Sequence, residues 1–223
     1  MEKFHTAPAP RRAFLGGLLA LAVPGVVPSA VHAAARRKAP PPPPLVTVLG
    51  DSITAGLGLA QDRALPAWLQ RTLDAMKIQA RVFGFGAIGD TTKAGLSRVE
   101  RIPPETAVCV VALGGNDLLQ GADPAWTREN LRAIVSRLKA RGVRVVLAGM
   151  RAPALLGADY ARRFTQVYPE LAREEGLFYA PDFFTGVIGV SRYMQSDGIH
   201  PNAEGARIIA ERLAPVVAQA LRG

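Results

Sequence analysis

"VLGDSITAGLG", residues 48–58, carries a short apolar run into Gly50, sets Asp51 and Ser52 side by side, and continues through small residues and glycines. A hydroxyl at the tip of a strand, on a turn built from such small residues, has two readings. Ser52 could cap a following helix, or it could be a nucleophile held out to a substrate. The run that leads into it, "LVTVL" at 45–49, is the first of a set. "ARVFGF" at 80–85, "AVCVVAL" at 107–113 and "VRVVLAG" at 143–149 are bounded by Gly or Pro and read as buried strands, with a shorter fifth in "LFYA" at 177–180. Helical segments are predicted between them, over 65–77, 92–101, 158–175 and 202–221, the last bent at Pro215. The clearest helix begins in "ADPAWTREN". Asp123 can cap it, Pro124 suits its first turn, Leu131, Ile134, Val135 and Leu138 recur at helical spacing, and Gly142 ends it. Strands alternating with helices predict an α/β fold, a three-layer αβα sandwich around a parallel sheet of about five strands, with function gathered at the strands' carboxyl ends.

The chain has 223 residues, 49% of them hydrophobic, enough for one domain with a sizeable core. Its formal charge of +9 suggests nucleic acid until the charges are located. The first 33 residues hold +2, Arg36, Arg37 and Lys38 add +3, and +4 remains for everything beyond. No basic run or aromatic-interleaved basic patch stands out after residue 45, so no nucleic-acid partner is expected. The single cysteine, Cys109, lies inside an apolar run; it cannot form an intramolecular disulfide, and burial in a strand is expected for it. The domain is expected to be a monomer.

"RRAFLGGLLALAVPGVVPSAVHAAA" has the parts of a targeting segment: paired arginines, an uncharged and mostly apolar stretch, and small residues at its end. Arg11 and Arg12, followed by Phe14 and Leu15, resemble a twin-arginine export signal, although Pro10 precedes the pair. Val31 and Ala33 suit cleavage after Ala33, and cleavage after Ala35 fits nearly as well. The basic residues 36–38 oppose the ordinary unfolded-chain route. Residues 1–35 are therefore read as a signal peptide handed to the twin-arginine machinery, which places the mature protein in the periplasm or outside the cell. An uncleaved membrane anchor is the competing reading, but Pro24, Pro28 and the many Ala and Gly residues make a poor span. Residues 36–44, basic and then "APPPPP" from 39, read as an extended linker to a domain over 45–223.

On the predicted sheet, every chemically suggestive group falls at a strand's carboxyl end or on the last loop. Ser52 follows the first strand, Gly89 the second in "GFGAIGDT", and Asn116 the third in "LGGND"; Asp197 and His200 stand three residues apart in "SDGIHPN". Signal cleavage would remove His5 and His32 and leave His200 as the only imidazole. A zinc site of the usual kind is then excluded, because one histidine and one cysteine cannot make up the ligands. No loop has the dense carboxylates of a cation site. Nucleophilic acyl transfer needs fewer parts: a serine, a histidine to take its proton, a carboxylate to hold the histidine in one tautomer, and donors for the developing oxyanion. Ser52, His200 and Asp197 fill the first three places. The backbone N–H groups of Ser52 and Gly89 and the side-chain amide of Asn116 can fill the last.

These residues resemble a known family, the SGNH or GDSL-like hydrolases. "GDSITAG" is similar to its first block, with Ile53 where Leu is usual, "GAIGDT" to the second, "GGND" to the third and "DGIHP" to the last. The likeness extends through "LLQG" at 118–121 and "MRAPALLGADYARRFTQVYPEL" at 150–171 to the periplasmic acyl-CoA thioesterase, lysophospholipase and arylesterase group, and it covers nearly everything from Leu45 on. The resemblance implies the flavodoxin-like SGNH hydrolase fold. It also implies Ser52, Asp197 and His200 as catalytic residues, Ser52, Gly89 and Asn116 as the oxyanion hole, small acyl esters or lipids as substrates, and no cofactor. Leu118, Pro153, Leu155 and Leu156 become candidates for contact with the acyl group. Leu155 and Leu156 depart from the group's polar and aromatic residues there, which bears on chain length and not on the reaction.

Other readings stay open at this stage. Asn116 could stabilise a turn, Asp197 could form an Asx-turn, and the domain could be a silent binder of acyl lipids or an O-acetylesterase for carbohydrate or peptidoglycan. Leu119, Phe183, Phe184 and Ile188 could line a groove with the four residues above, or simply lid the core. "GFGAIG" fits the dinucleotide fingerprint, yet the acidic residue required at the end of the next strand is missing, since that strand ends in "ALGGN".

Overall fold

A computed structural model describes residues 41–223. The targeting segment at 1–35 and residues 36–40 of the linker lie outside the described residues. Pro41–Pro44 are exposed and without regular structure; the Pro44 carbonyl accepts from Arg81 N–H at 2.9 Å, where the first strand pairing begins.

The five strands are β1 (Leu45–Gly50), β2 (Arg81–Gly86), β3 (Thr106–Ala112), β4 (Arg144–Ala148) and β5 (Phe178–Ala180). They form one parallel sheet in the order β2-β1-β3-β4-β5. The helices are α1 (Ser52–Ala55), α2 (Leu65–Ala75), α3 (Thr92–Arg98), α4 (Gly115–Leu119), α5 (Pro124–Ala140), α6 (Ala158–Glu175) and α7 (Ala203–Arg222). α2 packs with α7 on one face, and α5 packs with α3 and α6 on the other. This is the expected three-layer sandwich. The chain leaves β1 toward β2 on one side and returns to β3 on the other, so the strand order reverses between β1 and β3, the place where sheets of this kind bind ligands at their carboxyl ends.

Burial follows the predicted pattern in the central strands. All six residues of β1 are buried, and Cys109 in β3 is fully enclosed, which pushes its thiol up to about 12. β2 departs from the expectation of a buried strand. It lies at the sheet's edge, with Arg81 and Phe83 turned outward and Phe83 43% exposed. α5 buries Leu131, Ile134, Val135 and Leu138, each worth roughly 1.5–3 kcal/mol, and Asp123 caps it by accepting from Ala125 N–H at 2.9 Å. α7 continues through Pro215, which lies with Glu211 on its exposed side, so the carbonyl that loses its N–H partner is on the solvent face.

Candidate active site

β1 ends at Gly50, and the chain turns at once into the four-residue α1. The absence of side chains lets α1 lie against the strand ends: a Cβ on Gly50 would stand 2.0 Å from Thr54 Oγ1, and one on Gly86 would stand 2.3 Å from the Ala55 nitrogen. Asp51, not Ser52, caps this helix, its carboxylate accepting from Ile53 N–H at 3.0 Å. Ser52 is the first helical residue, and its hydroxyl is left free of the capping role. Its Oγ lies 2.9 Å from His200 Nε2.

His200 is fixed by the loop that carries it. An antiparallel bridge joins Met194 to Pro201, Gln195 N–H donates to the His200 carbonyl at 2.8 Å, and Asn202 caps α7 immediately after. The chain turns through Gly198 at φ +67°, which brings Asp197 back onto the histidine. Asp197 Oδ1 accepts from Ile199 N–H at 2.9 Å and His200 N–H at 3.0 Å, while Oδ2 lies 2.7 Å from His200 Nδ1. The Asx-turn and the histidine contact are therefore made by one carboxylate. The His200 backbone N–H, its ring N–H and then the Ile199 N–H hold the Asp197 carboxyl down at about 2. An ionised Asp197 only accepts, so Nδ1 carries the ring proton and Nε2 is left to accept from the Ser52 hydroxyl.

The donors expected for an oxyanion stand at the other strand ends. Gly89 follows β2 at φ +80° in an exposed turn. Neither its N–H nor that of Ser52 has a hydrogen-bond partner among the described residues. Asn116 lies in α4, after Gly114 at φ +120°, and one of its amide hydrogens goes to the Asp90 carbonyl at 2.9 Å, which ties it to the residue beside Gly89. The other amide hydrogen is available. Asp117, buried beside Asn116, accepts from Thr92 N–H at 2.8 Å and Thr92 Oγ1 at 2.5 Å and so locks α4 to the start of α3. The Gly-rich turn does not open a helix as a dinucleotide site would: α3 begins only at Thr92, capped by Thr91.

Three residues that local sequence patterns did not reveal support this arrangement. Asp117 is one. Asp51 is another: it is 5% exposed, and burial pushes its carboxyl up to about 6. The third is Arg98, whose Nε donates to the Asp90 carboxylate from a side chain only 11% exposed. The signal available for Asp51 was its place one residue before the serine, and for Asp117 its place one residue after Asn116; nothing local marks Arg98.

The expected acyl-contact residues divide. Leu118 on α4 is partly buried against the core, whereas Pro153, Leu155 and Leu156 lie on the β4–α6 loop, with Leu155 85% and Leu156 44% exposed. Leu119 at the end of α4 and Ile188 are also exposed, so none of Leu119, Leu155, Leu156 and Ile188 is a core lid. Phe183, for which both readings were open, is 2% exposed, stacked on Phe184 with ring centroids 4.0 Å apart, and belongs to the core. A cleft of about 390 Å³ beside α1 is lined by Thr54 and Ala55 and by Phe83 of β2, and by none of Leu118, Pro153, Leu155 or Leu156. Among the described residues no cluster of three or more His, Cys, Asp or Glu side chains could hold a metal ion.

Comparison with known proteins gives the family and the fold. Residues 48–208 match the sequence model of the GDSL-like Lipase/Acylhydrolase family. The chain is 37% identical to Esterase TesA of Pseudomonas aeruginosa over 172 residues, which is 76% of this chain and 86% of that protein. It is 35% identical over 169 residues to Thioesterase 1/protease 1/lysophospholipase L1 of Escherichia coli strain K12, 75% of this chain and 80% of that one. Among solved structures, that of TesA superposes with a TM-score of 0.75 at 35% identity, covering 79% of this chain and 99% of that chain. The SGNH-hydrolase family esterase AlinE4 gives 0.67 at 38% identity, covering 80% and 96%. With its four sequence blocks brought to one end of a doubly wound sheet, the chain belongs to the GDSL-like lipase/acylhydrolase family and is an ester-hydrolysing serine hydrolase.

Proposed function

We propose that the protein is an exported esterase that cleaves small acyl esters, thioesters or lysophospholipids through an acyl-enzyme on Ser52. The observation that carries this is the hydrogen-bonded chain Ser52 Oγ, His200 Nε2, His200 Nδ1, Asp197 Oδ2, at 2.9 and 2.7 Å. His200 Nε2 takes the hydroxyl proton as Oγ attacks the carbonyl carbon, and the imidazolium that forms is stabilised by Asp197. The carbonyl oxygen becomes an oxyanion, bound by the N–H groups of Ser52 and Gly89 and the free amide hydrogen of Asn116. Collapse of the tetrahedral intermediate breaks the bond to the leaving alcohol or thiol, which takes the proton back from His200. Water then attacks the acyl-enzyme, giving its proton to His200, and the carboxylic acid leaves as Ser52 regains its hydroxyl. No step calls for a cofactor. The exposed Leu119 at the end of α4, with Leu155, Leu156 and Ile188 on loops at this end of the sheet, favours an acyl chain over a sugar acetate.

A chain-length series of p-nitrophenyl esters and acyl thioesters tests the substrate class, with Ser52→Ala as the control. Hydrolysis of chains beyond acetyl by the native protein alone is expected; activity confined to acetylated sugars would replace this reading with an O-acetylesterase. Export rests on the sequence of residues 1–35. Replacing Arg11 and Arg12 with Lys should hold the precursor inside the cell, and mature protein reaching the periplasm at its normal level would remove the twin-arginine route.

A further inference from the structure

We infer that Arg98 is the positioning residue of the oxyanion hole, a role that rests on the esterase reading above. Arg98 is the last residue of α3, makes no hydrogen bond to Ser52 or His200, and its side chain is 11% exposed. Its guanidinium reaches three acceptors on two pieces of chain, the end of β1 and the end of β2 with the turn that follows it. Nη2 donates to the Gly50 carbonyl at 2.6 Å, Nη1 to the Phe85 carbonyl at 2.8 Å, and Nε to the Asp90 carboxylate; the Phe85 ring lies 4.5 Å from the guanidinium carbon. Gly50 immediately precedes Asp51 and Ser52. Phe85 is at the end of the strand that leads to Gly89, and Asp90 follows Gly89 directly. The Asp90 carbonyl in turn receives the Asn116 amide at 2.9 Å.

One side chain thus joins the segments that carry the Ser52 N–H and the Gly89 N–H, and through Asp90 it reaches the Asn116 amide. The planar fork is what makes this possible, because three acceptors in different directions need three N–H groups held in one rigid frame. A lysine would keep the charge and give up that frame. The opposite end of α3 is anchored to α4 through Asp117 and Thr92, so α3 braces the hole from both sides. The central strands are held by their own ladder and a fully buried core. Arg98 therefore governs where donors sit more than whether the sheet forms. A displacement of about 1 Å in such a site lowers turnover on the order of a hundredfold.

The test is a double-mutant cycle on the purified protein, with kcat and KM measured for a p-nitrophenyl ester. Arg98→Lys should lower kcat roughly ten- to a hundredfold and move KM by less than about threefold, because the oxyanion contact develops in the transition state. In the Asn116→Ala background Arg98→Lys should cost clearly less than it does in the native protein, since the share of its effect that acts through the Asn116 amide is already gone. Fully multiplicative losses, or a rise in KM with kcat unchanged, would overturn the positioning role. If Arg98→Lys does not fold, Asp90→Asn, which keeps an acceptor for Nε, should show the same non-additivity on a smaller loss, and multiplicative behaviour there overturns the role as well. Native protein that is labelled at Ser52 by a fluorophosphonate while Arg98→Lys keeps full kcat defeats this inference alone; native protein that is never labelled defeats the esterase reading and this inference with it.

Discussion

Replacing Asp51 with Asn should make the protein more stable at pH 8 and leave it unchanged or slightly weaker at pH 4. The carboxyl is 5% exposed, and burial, partly offset by the Ile53 N–H, raises it from the ordinary 3.8 to about 6. The folded protein therefore keeps its proton to a higher pH than the unfolded chain does. Below about pH 4 both states are protonated and Asp51 carries no penalty. As pH rises from there through about 6, the unfolded chain ionises first and stability falls, and above that the folded state bears a buried charge. A shift of about two pKa units corresponds to about 3 kcal/mol of destabilisation at pH 8. Asparagine has no charge to bury, and its carbonyl oxygen can still accept from Ile53 N–H. Its amide donors lack an obvious acceptor, at a cost of about 1 kcal/mol. The net gain at pH 8 is about 2 kcal/mol, which raises Tm by roughly 4–8 °C in a domain of this size. Thermal and urea unfolding of both proteins at pH 4 and pH 8 measures it. An Asn variant no more stable than native at pH 8, or a difference equal at the two pH values, would refute the reasoning. A buried charge beside the nucleophile that lowers stability is the kind of cost active sites retain.

Two further outcomes follow from the site. Asn116→Ala should reduce kcat roughly a hundred- to a thousandfold with KM little changed, read from initial rates over a range of ester concentration; unchanged turnover would remove Asn116 from the oxyanion hole. Asp197 stays ionised down to about pH 2, so its loss by protonation contributes nothing to any fall in activity between pH 4 and pH 8. Asp197→Asn turns an amide N–H toward His200 Nδ1 and leaves the proton on Nε2, and turnover should drop on the order of a thousandfold or more across a pH 5–9 profile; recovery to the native rate anywhere in that range would contradict the assigned tautomer.

The parts legible in the sequence were those with local signals. The β-rich runs set all five strands to within a residue or two, and the spacing of Leu131, Ile134, Val135 and Leu138 together with Asp123 and Pro124 located α5 and its cap. Ser52, Asp197 and His200 could be named because each stands in a short block and because the histidine was nearly alone. α1 and α4 escaped because four and five residues are too few to show a helical period. The edge position of β2 could not be read from "ARVFGF", since strand order is decided by crossovers and not by the strand itself. Phe183 beside Phe184 on a loop has the same letters whether it lines a groove or fills the core, and only packing separated the two. Arg98 was invisible for a similar reason: its partner Gly50 is 48 residues away, and no local pattern encodes that reach.

The central claim is that His200 activates Ser52 as a nucleophile. Its most direct test is mass spectrometry of residues 34–223 after exposure to a fluorophosphonate, with Ser52→Ala and His200→Ala treated in parallel. One adduct per molecule, located on Ser52, absent in the first variant and much slower in the second, is the expected result. A folded native protein that acquires no adduct, or acquires one that persists in Ser52→Ala, would contradict it.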